Sequence, residues 1–244
     1  MTQQLQPLRV VQLSDCHLFA DTQGKLLGLN TQFSLDKVLE LIRGEQPSPD
    51  LILATGDLSQ DASFESYQRL EQALSGFPAP VYWLEGNHDH MDEAFVAHLR
   101  AINGNRIPMI DWRARFKLVF SNKRQVRIDA AHDHKGHSMW NELHGQLRAA
   151  HMDEHADLFV AGHKHNWAQA QIELTTGRVS TLLRTRGYKG VDSYTTRKGF
   201  ANKRYGAAVV TVINPQAESP TELIKPFPDV QAGAEYLTWL RARP

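Results

Sequence analysis

Apolar residues fall along the chain in short unbroken runs and in helical repeats, and the two alternate. Leu8 to Ser14 is a run of β-branched and aliphatic residues that predicts a buried strand. Leu35, Val38, Leu39 and Ile42 recur at helical spacing, which predicts an amphipathic helix over Ser34 to Glu45, ended by Pro47 and Pro49. Asp50 to Thr55 predicts a second strand, Ser63 to Leu74 a helix with Ser63 and Ser66 as candidate caps, and Pro80 to Glu85 a third strand. Met91 to Ile102 again has helical character. The first hundred residues therefore read β-α-β-α-β-α, which implies a mainly parallel sheet covered by helices.

The second half changes character. Trp112 to Phe120 and Gln125 to Ala130 predict two strands joined by the turn Ser121 to Arg124. A helix is expected over Asn141 to His155, then a buried strand over Ala156 to Val160. The runs Ala168 to Leu174, Val179 to Arg184 and Ala207 to Ile213 suggest an antiparallel second sheet. Pro215 to Pro228 reads as a turn-rich loop, and Val230 to Arg241 as a last helix packing Ala234, Leu237 and Leu240 on the body. No internal repeat or low-complexity linker interrupts this pattern, so a single domain over residues 1–244, with a helical tail at about 229–243, is expected.

Composition narrows the class. With 41% hydrophobic residues in 244, the chain has material for a sizeable core. Its 27 basic residues balance 27 acidic ones, so no whole-chain field draws it to nucleic acid or membrane. The single cysteine, Cys16, excludes an internal disulfide and suits a reducing compartment. No stretch has the length of a membrane span and the N-terminal residues lack a signal-peptide pattern, so a soluble cytoplasmic protein is expected. Charge is uneven in one place. Between Arg178 and Arg204 there are eight basic residues and one acid, Asp192, interleaved with Tyr188, Tyr194 and Phe200. That segment reads either as a solvated loop or as a basic rim gripping an anionic substrate, with Arg184, Arg186 and Lys189 as candidate substrate-binding residues.

The candidate chemistry lies at the ends of the predicted strands. Asp15-Cys16-His17, Gly56-Asp57, Gly86-Asn87-His88-Asp89 and Gly162-His163-Lys164-His165 each follow an apolar run. Ligands of open α/β sheets gather at such carboxyl ends. Strand alternation would put Asp15 and His17 on one face, with Cys16 pointing away as a packing residue. These carboxylate, amide and imidazole groups form a ligand set for a pair of divalent cations, and without thiolate they suit Mn, Fe, Zn or Ni. One ion would take Asp15, His17 and His165, the other Asn87, His132 and His163, with Asp57 bridging. His134 and His137 compete with His132 for its place. Such an ion pair clamps a phosphate and activates an attacking water. His88 would protonate the leaving oxygen, and Asp89 would hold the His88 imidazole in its tautomer.

These motifs, in this order, resemble the calcineurin-like metallophosphoesterase superfamily over roughly Arg9 to Pro215. The resemblance implies an α/β fold of two facing mixed β-sheets flanked by helices, in four layers, and a dinuclear metal site built from Asp15, His17, Asp57, Asn87, His132, His163 and His165. Leu8 to about Val96 is similar to bacterial class III cyclic-AMP phosphodiesterases. The back half departs from them: where that branch carries His-His-x-Pro, this chain has His132-Asp133-His134-Lys135-Gly136-His137-Ser138. That segment, Gly162 to Trp167 and Arg184 to Lys189 look like phage and prophage phosphoesterases, and the join lies near Ala97 to Trp112. The function expected is two-metal hydrolysis of a cyclic nucleotide or other small phosphodiester. The alternatives are a nuclease or broad phosphatase acting on nucleic acid or phosphomonoesters, and a non-catalytic scaffold on the same fold.

Overall fold

The computed structural model describes residues 6–45, 49–89, 109–110, 112–153, 155–187 and 208–242. The predicted helix over Met91 to Ile102 and most of the basic segment, including Lys189, lie outside the described residues. Two sheets face each other. The first has six strands in the order β13, β12, β1, β4, β5, β6: Ile224–Phe227, Val209–Ile213, Leu8–Leu13, Leu51–Thr55, Val81–Leu84 and Met109–Ile110. From β1 to β6 the pairings are parallel, and β12 and β13 add an antiparallel edge. The second sheet has five strands in the order β10, β11, β9, β8, β7: Ala168–Glu173, Val179–Arg184, Leu158–Ala161, Gln125–Ala131 and Arg113–Val119. A small hairpin, β2 (Lys25–Leu26) and β3 (Leu29–Asn30), precedes the first helix.

Alternation along each strand explains the unbroken apolar runs. Val10, Leu51, Leu53, Val209 and Ile213 of the first sheet meet Val126, Ile128, Leu158, Val160 and Leu183 of the second in one core between the sheets. The intervening residues Val11, Leu13, Ile52, Ala54, Val210 and Val212 point outward, under helices α1 (Thr31–Glu45), α2 (Phe64–Ser75) and α5 (Val230–Arg241). Phe159 and Leu182 of the second sheet face α3 (His144–Met152), which adds Ala149 and Ala150. Strands covered on both faces have no polar side, so they lose the period-two pattern. The result is the expected four-layer α-β-β-α arrangement of mixed sheets. Among the described residues, no helix is long and apolar enough to cross a membrane.

Four expectations are corrected. The second sheet is mixed rather than antiparallel, because β9 pairs in parallel with both β8 and β11. β12 joins the first sheet beside β1, since a strand buried on both faces carries no local sign of which sheet will take it. Pro215 to Pro228 is not only loop: it holds the short helix α4 (Pro220–Leu223), capped by Ser219, and the edge strand β13. The helix expected from Asn141 begins at His144, because Asn141 closes a turn whose carbonyl and side chain accept from the amides of His144 and Leu143.

Candidate metal centre

Every residue of the expected ligand set sits just beyond the carboxyl end of a strand, at one edge of the sandwich. Asp15 and His17 follow β1, Asp57 follows β4, Asn87 and His88 follow β5, His132 follows β8, and His163 and His165 follow β9. The loops are laced together. The amides of Asp15, His17 and Leu18 donate to the carbonyls of Gly56, Asp57 and Leu58, and the Gly162 amide donates to the His132 carbonyl. Gln12 spans the sheets, donating to Thr55 Oγ1 at 2.9 Å and to the Ala161 carbonyl at 3.4 Å. Two sheets fixed at this edge can hold ligands from both in one place.

The local backbone is unusual. Asp15, His17, Asp57, His163 and His165 all adopt positive φ, between 47° and 65°. Left-handed backbone at non-glycine residues costs on the order of 1–3 kcal/mol each and persists where surroundings enforce it, often at functional sites. It also corrects the reason that Asp15 and His17 meet. β1 ends at Leu13, so strand alternation does not apply, and two left-handed residues two apart turn both side chains to the same point. Glycine is required at two neighbouring positions. Gly56 itself has φ of 87°, and at Gly187 a Cβ would lie 2.6 Å from His165 Nδ1 and 2.7 Å from Asp15 Cβ.

Three overlapping clusters offer ligand atoms within 4.8 Å of one another: Asp15, His17 and His165; Asp57, His132 and His163; and His17, Asp57 and His88. His165 Nε2 is 3.2 Å from Asp15 Oδ1, and its ring stacks on His17. His132 Nε2 is 3.1 Å from Asn87 Oδ1, 3.1 Å from His163 Nδ1 and 3.4 Å from Asp57 Oδ2. The same Asp57 oxygen lies 3.9 Å from His17 Nε2, between the two groups. Among the described residues, neither ring nitrogen of the buried His17 has a hydrogen-bond partner, which fits an atom that coordinates rather than donates.

The electrostatics agree. Burial outweighs the attraction of Asp15 and Asp57 and lowers the His17 pKa to about 4, which leaves one ring lone pair free at neutral pH. Burial opposes the Asp15 charge, but His165, His132 and His17 hold its carboxyl well below the usual range. Burial also works against a charged His132, yet Asp57 and Asp15 raise it to about 9. Two buried carboxylates thus demand positive charge at His132 Nε2, which a divalent cation would supply in place of the proton. The donor set and these orphaned atoms fit two divalent ions.

His132 is the histidine that enters the cluster. His134 is buried elsewhere, 3.2 Å from Asp129, and His137 is exposed. His88 touches the site edge-on to the His17 ring, but Asp89 does not orient it. The Asp89 carboxylate accepts from the amides of Leu58, Ser59 and Gly86 and from the Tyr67 hydroxyl, and so staples the loop. The group beside His88 Nδ1 is Gln60 Nε2, at 3.2 Å. Sequence reading missed Gln60, and missed Ser14, whose hydroxyl donates to Asp15 Oδ2 at 2.5 Å. Gln60 lies in no motif, and only loop packing brings it to His88, whereas Ser14 directly precedes Asp15.

Arg184 is a further correction. It is fully buried, bonding to Glu142 O, Gly162 O, Gln146 Oε1 and Asp133 Oδ1, so no donor face is left for a substrate. Its ion pair ties the loop after β8 to the end of β11. Arg186 is half-buried and reaches the Pro228 carbonyl at 3.3 Å.

A stretch of 83 residues is 52% identical to the 3',5'-cyclic adenosine monophosphate phosphodiesterase CpdA of Pseudomonas aeruginosa, covering 34% of this chain and 30% of that protein. The protein of the same name from Escherichia coli (strain K12) is 47% identical over 90 residues, 37% of this chain and 33% of that one. The chain spans about a third of the length of these curated relatives. Among solved structures, a dimetal phosphatase from Danio rerio matches with a TM-score of 0.48 and 11% identity, over 84% of this chain and 95% of that one. The Metallophos profile, Calcineurin-like phosphoesterase, matches residues 8–167, and with that span of the chain the protein belongs to the calcineurin-like phosphoesterase family.

Proposed function

We propose that this protein hydrolyses a small phosphodiester, with a 3',5'-cyclic nucleotide as the substrate class, using two divalent cations. The observation that carries the reading is the pair of ligand clusters that meet at Asp57, with orphaned nitrogens on His17 and five ligand residues in left-handed backbone. The family's dinuclear site fits these clusters, and the names of the relatives support a cyclic nucleotide. When bound, such a cation pair polarises a phosphoryl group and lowers the pKa of a water. The donor set of nitrogen and oxygen suits Mn, Fe, Zn or Ni.

The chain's own residues divide the remaining work. Asp15, His17 and His165 would hold one ion, Asn87, His132 and His163 the other, with Asp57 between. The hydroxyl of Ser14 and the amide of His163 fix Asp15 Oδ2 and leave Oδ1 toward the cluster. The Thr55 carbonyl accepts a hydrogen bond from His132 Nδ1–H, which presents Nε2 to the cluster. His88, half-buried at the rim, would give a proton to the leaving oxygen, with Gln60 holding its ring.

The test is hydrolysis with added Mn of bis-p-nitrophenyl phosphate, p-nitrophenyl phosphate, cyclic AMP, single-stranded DNA and single-stranded RNA, beside metal content. Cyclic AMP should be turned over best, and Asp57→Ala should remove most bound metal and nearly all activity. Preference for the nucleic acids would favour the nuclease reading. Metal bound without turnover of any ester would favour the scaffold.

A further inference from the structure

At the opposite end of the five-stranded sheet, two adjoining cavities of about 390 and 380 Å³ share Arg127, His155 and Arg178. Arg127 lies five residue steps before His132 along β8, so at a rise of about 3.3 Å per residue the groove lies on the order of 16 Å from the metal centre. Its walls carry a positive charge that the fold does not answer. Lys117 on β7 is the direct cross-strand partner of Arg127 on β8, and like charges so placed repel. Two residues further along the same pair of strands, Arg115 faces Asp129, and those charges are paired at 2.8 Å.

No such relief reaches the groove. Among the described residues, no carboxylate lies within ion-pair distance of Lys117, Arg127 or Arg178. Arg124, on the first cavity, is spent on the neutral carbonyls of Pro215 and Ala217. The one described acid on the walls is Asp157, whose oxygens already accept from the Arg127 amide at 2.7 Å and face His155 Nε2 at 3.1 Å. A groove with three cationic side chains that no described carboxylate pairs, in a chain of zero net charge, is a local anion trap.

We propose that this groove binds a small molecule bearing two or more adjacent phosphate groups, at a site separate from the metal centre. Each cavity is within the range of small-ligand pockets, about 300–1,000 Å³. Adjacent phosphates match the guanidinium groups of Arg127 on β8 and Arg178 in the turn before β11, since each phosphate offers several acceptor oxygens to the planar donor fork.

The experiment is calorimetric titration of the full chain with pyrophosphate and with ADP, in the Asp57→Ala background and after chelation of metal from the unsubstituted chain. Both backgrounds remove phosphate binding at the metal centre. Saturable binding is expected in each, weakening with salt, and at least tenfold weaker when Arg127→Gln and Arg178→Gln are combined. Lys117→Gln alone should weaken it less. Tighter binding of ADP than of pyrophosphate identifies a nucleotide, and the reverse an inorganic polyphosphate. Because these side chains repel one another, the thermal midpoint of the substituted chains should not fall. Absence of saturable binding in the Asp57→Ala chain, equal binding by the charge variants, or adenosine binding as tightly as ADP would each overturn the proposal.

Discussion

His132 Nδ1 lies 2.9 Å from the carbonyl oxygen of Thr55, the last residue of β4. A carbonyl only accepts, so this contact places a ring proton on Nδ1 and turns Nε2 toward Asp57 and Asn87, where a cation would replace its proton. His134, two residues on, is committed to Asp129. His132→Ala should therefore release at least one of two bound ions. His134→Ala and His137→Ala should keep both, and His134→Ala should lower the thermal midpoint. Metal content after dialysis, by mass spectrometry, checks all three. Full occupancy in His132→Ala would return the ligand to one of its neighbours.

His88 and Asp89 are adjacent but do different work. His88→Ala should retain the metals and slow esters with poor leaving groups by about 10²–10⁴-fold, the usual range for general acid–base catalysis, and good leaving groups far less. Gln60→Ala should show the same leaving-group pattern at smaller size. Asp89→Asn should instead cost stability, about 1–3 kcal/mol for a buried acceptor lost from its donors. Denaturant unfolding beside kinetics on two esters separates these outcomes. An equal loss on both esters in His88→Ala would give that residue another role.

Arg184 gives a prediction opposite to that of a substrate-binding residue. Removing its guanidinium leaves Asp133 without its partner at 2.7 Å and several carbonyls without their donor. Breaking one side of a buried pair typically costs about 3–5 kcal/mol. Arg184→Met should unfold at much lower denaturant, and Arg184→Lys should recover only part of the loss. A raised KM at unchanged unfolding midpoint would argue that this side chain leaves its pocket to meet substrate.

The buried Asp129 sets a pH dependence of stability away from the metals. Burial opposes its charge, but hydrogen bonds from His134, Arg113 and Arg115 hold its carboxyl well below the usual range. A carboxyl depressed in the folded state stabilises fully above its unfolded pKa of about 3.9, and that contribution is lost as pH falls toward the folded value. Metal-free protein should therefore lose stability steeply below about pH 4. Asp129→Asn should be less stable at neutral pH and show a shallower acid slope. Parallel acid slopes in the two chains would remove Asp129 as the source.

The strands, the helices and the order of the ligand motifs were legible in the sequence because each is a local signal. An unbroken run such as Leu51–Thr55 reports burial on both faces, and Gly86-Asn87-His88-Asp89 reports a polar group held where a strand stops. What lies opposite what is not local. Only the packed sheets decided that β12 belongs beside β1, that His132 rather than His134 reaches Asp57, and that Asp89 bonds backbone amides while Gln60 meets His88. Arg184 shows the limit most plainly. A basic residue at a strand end reads as a substrate group by chemistry alone, and its burial follows from Asp133, which lies 51 residues earlier and meets it only when β8 and β11 share a sheet. Local free energies fix the elements. The sum of long-range contacts fixes which side chains meet, and that sum is not carried by any one stretch of chain.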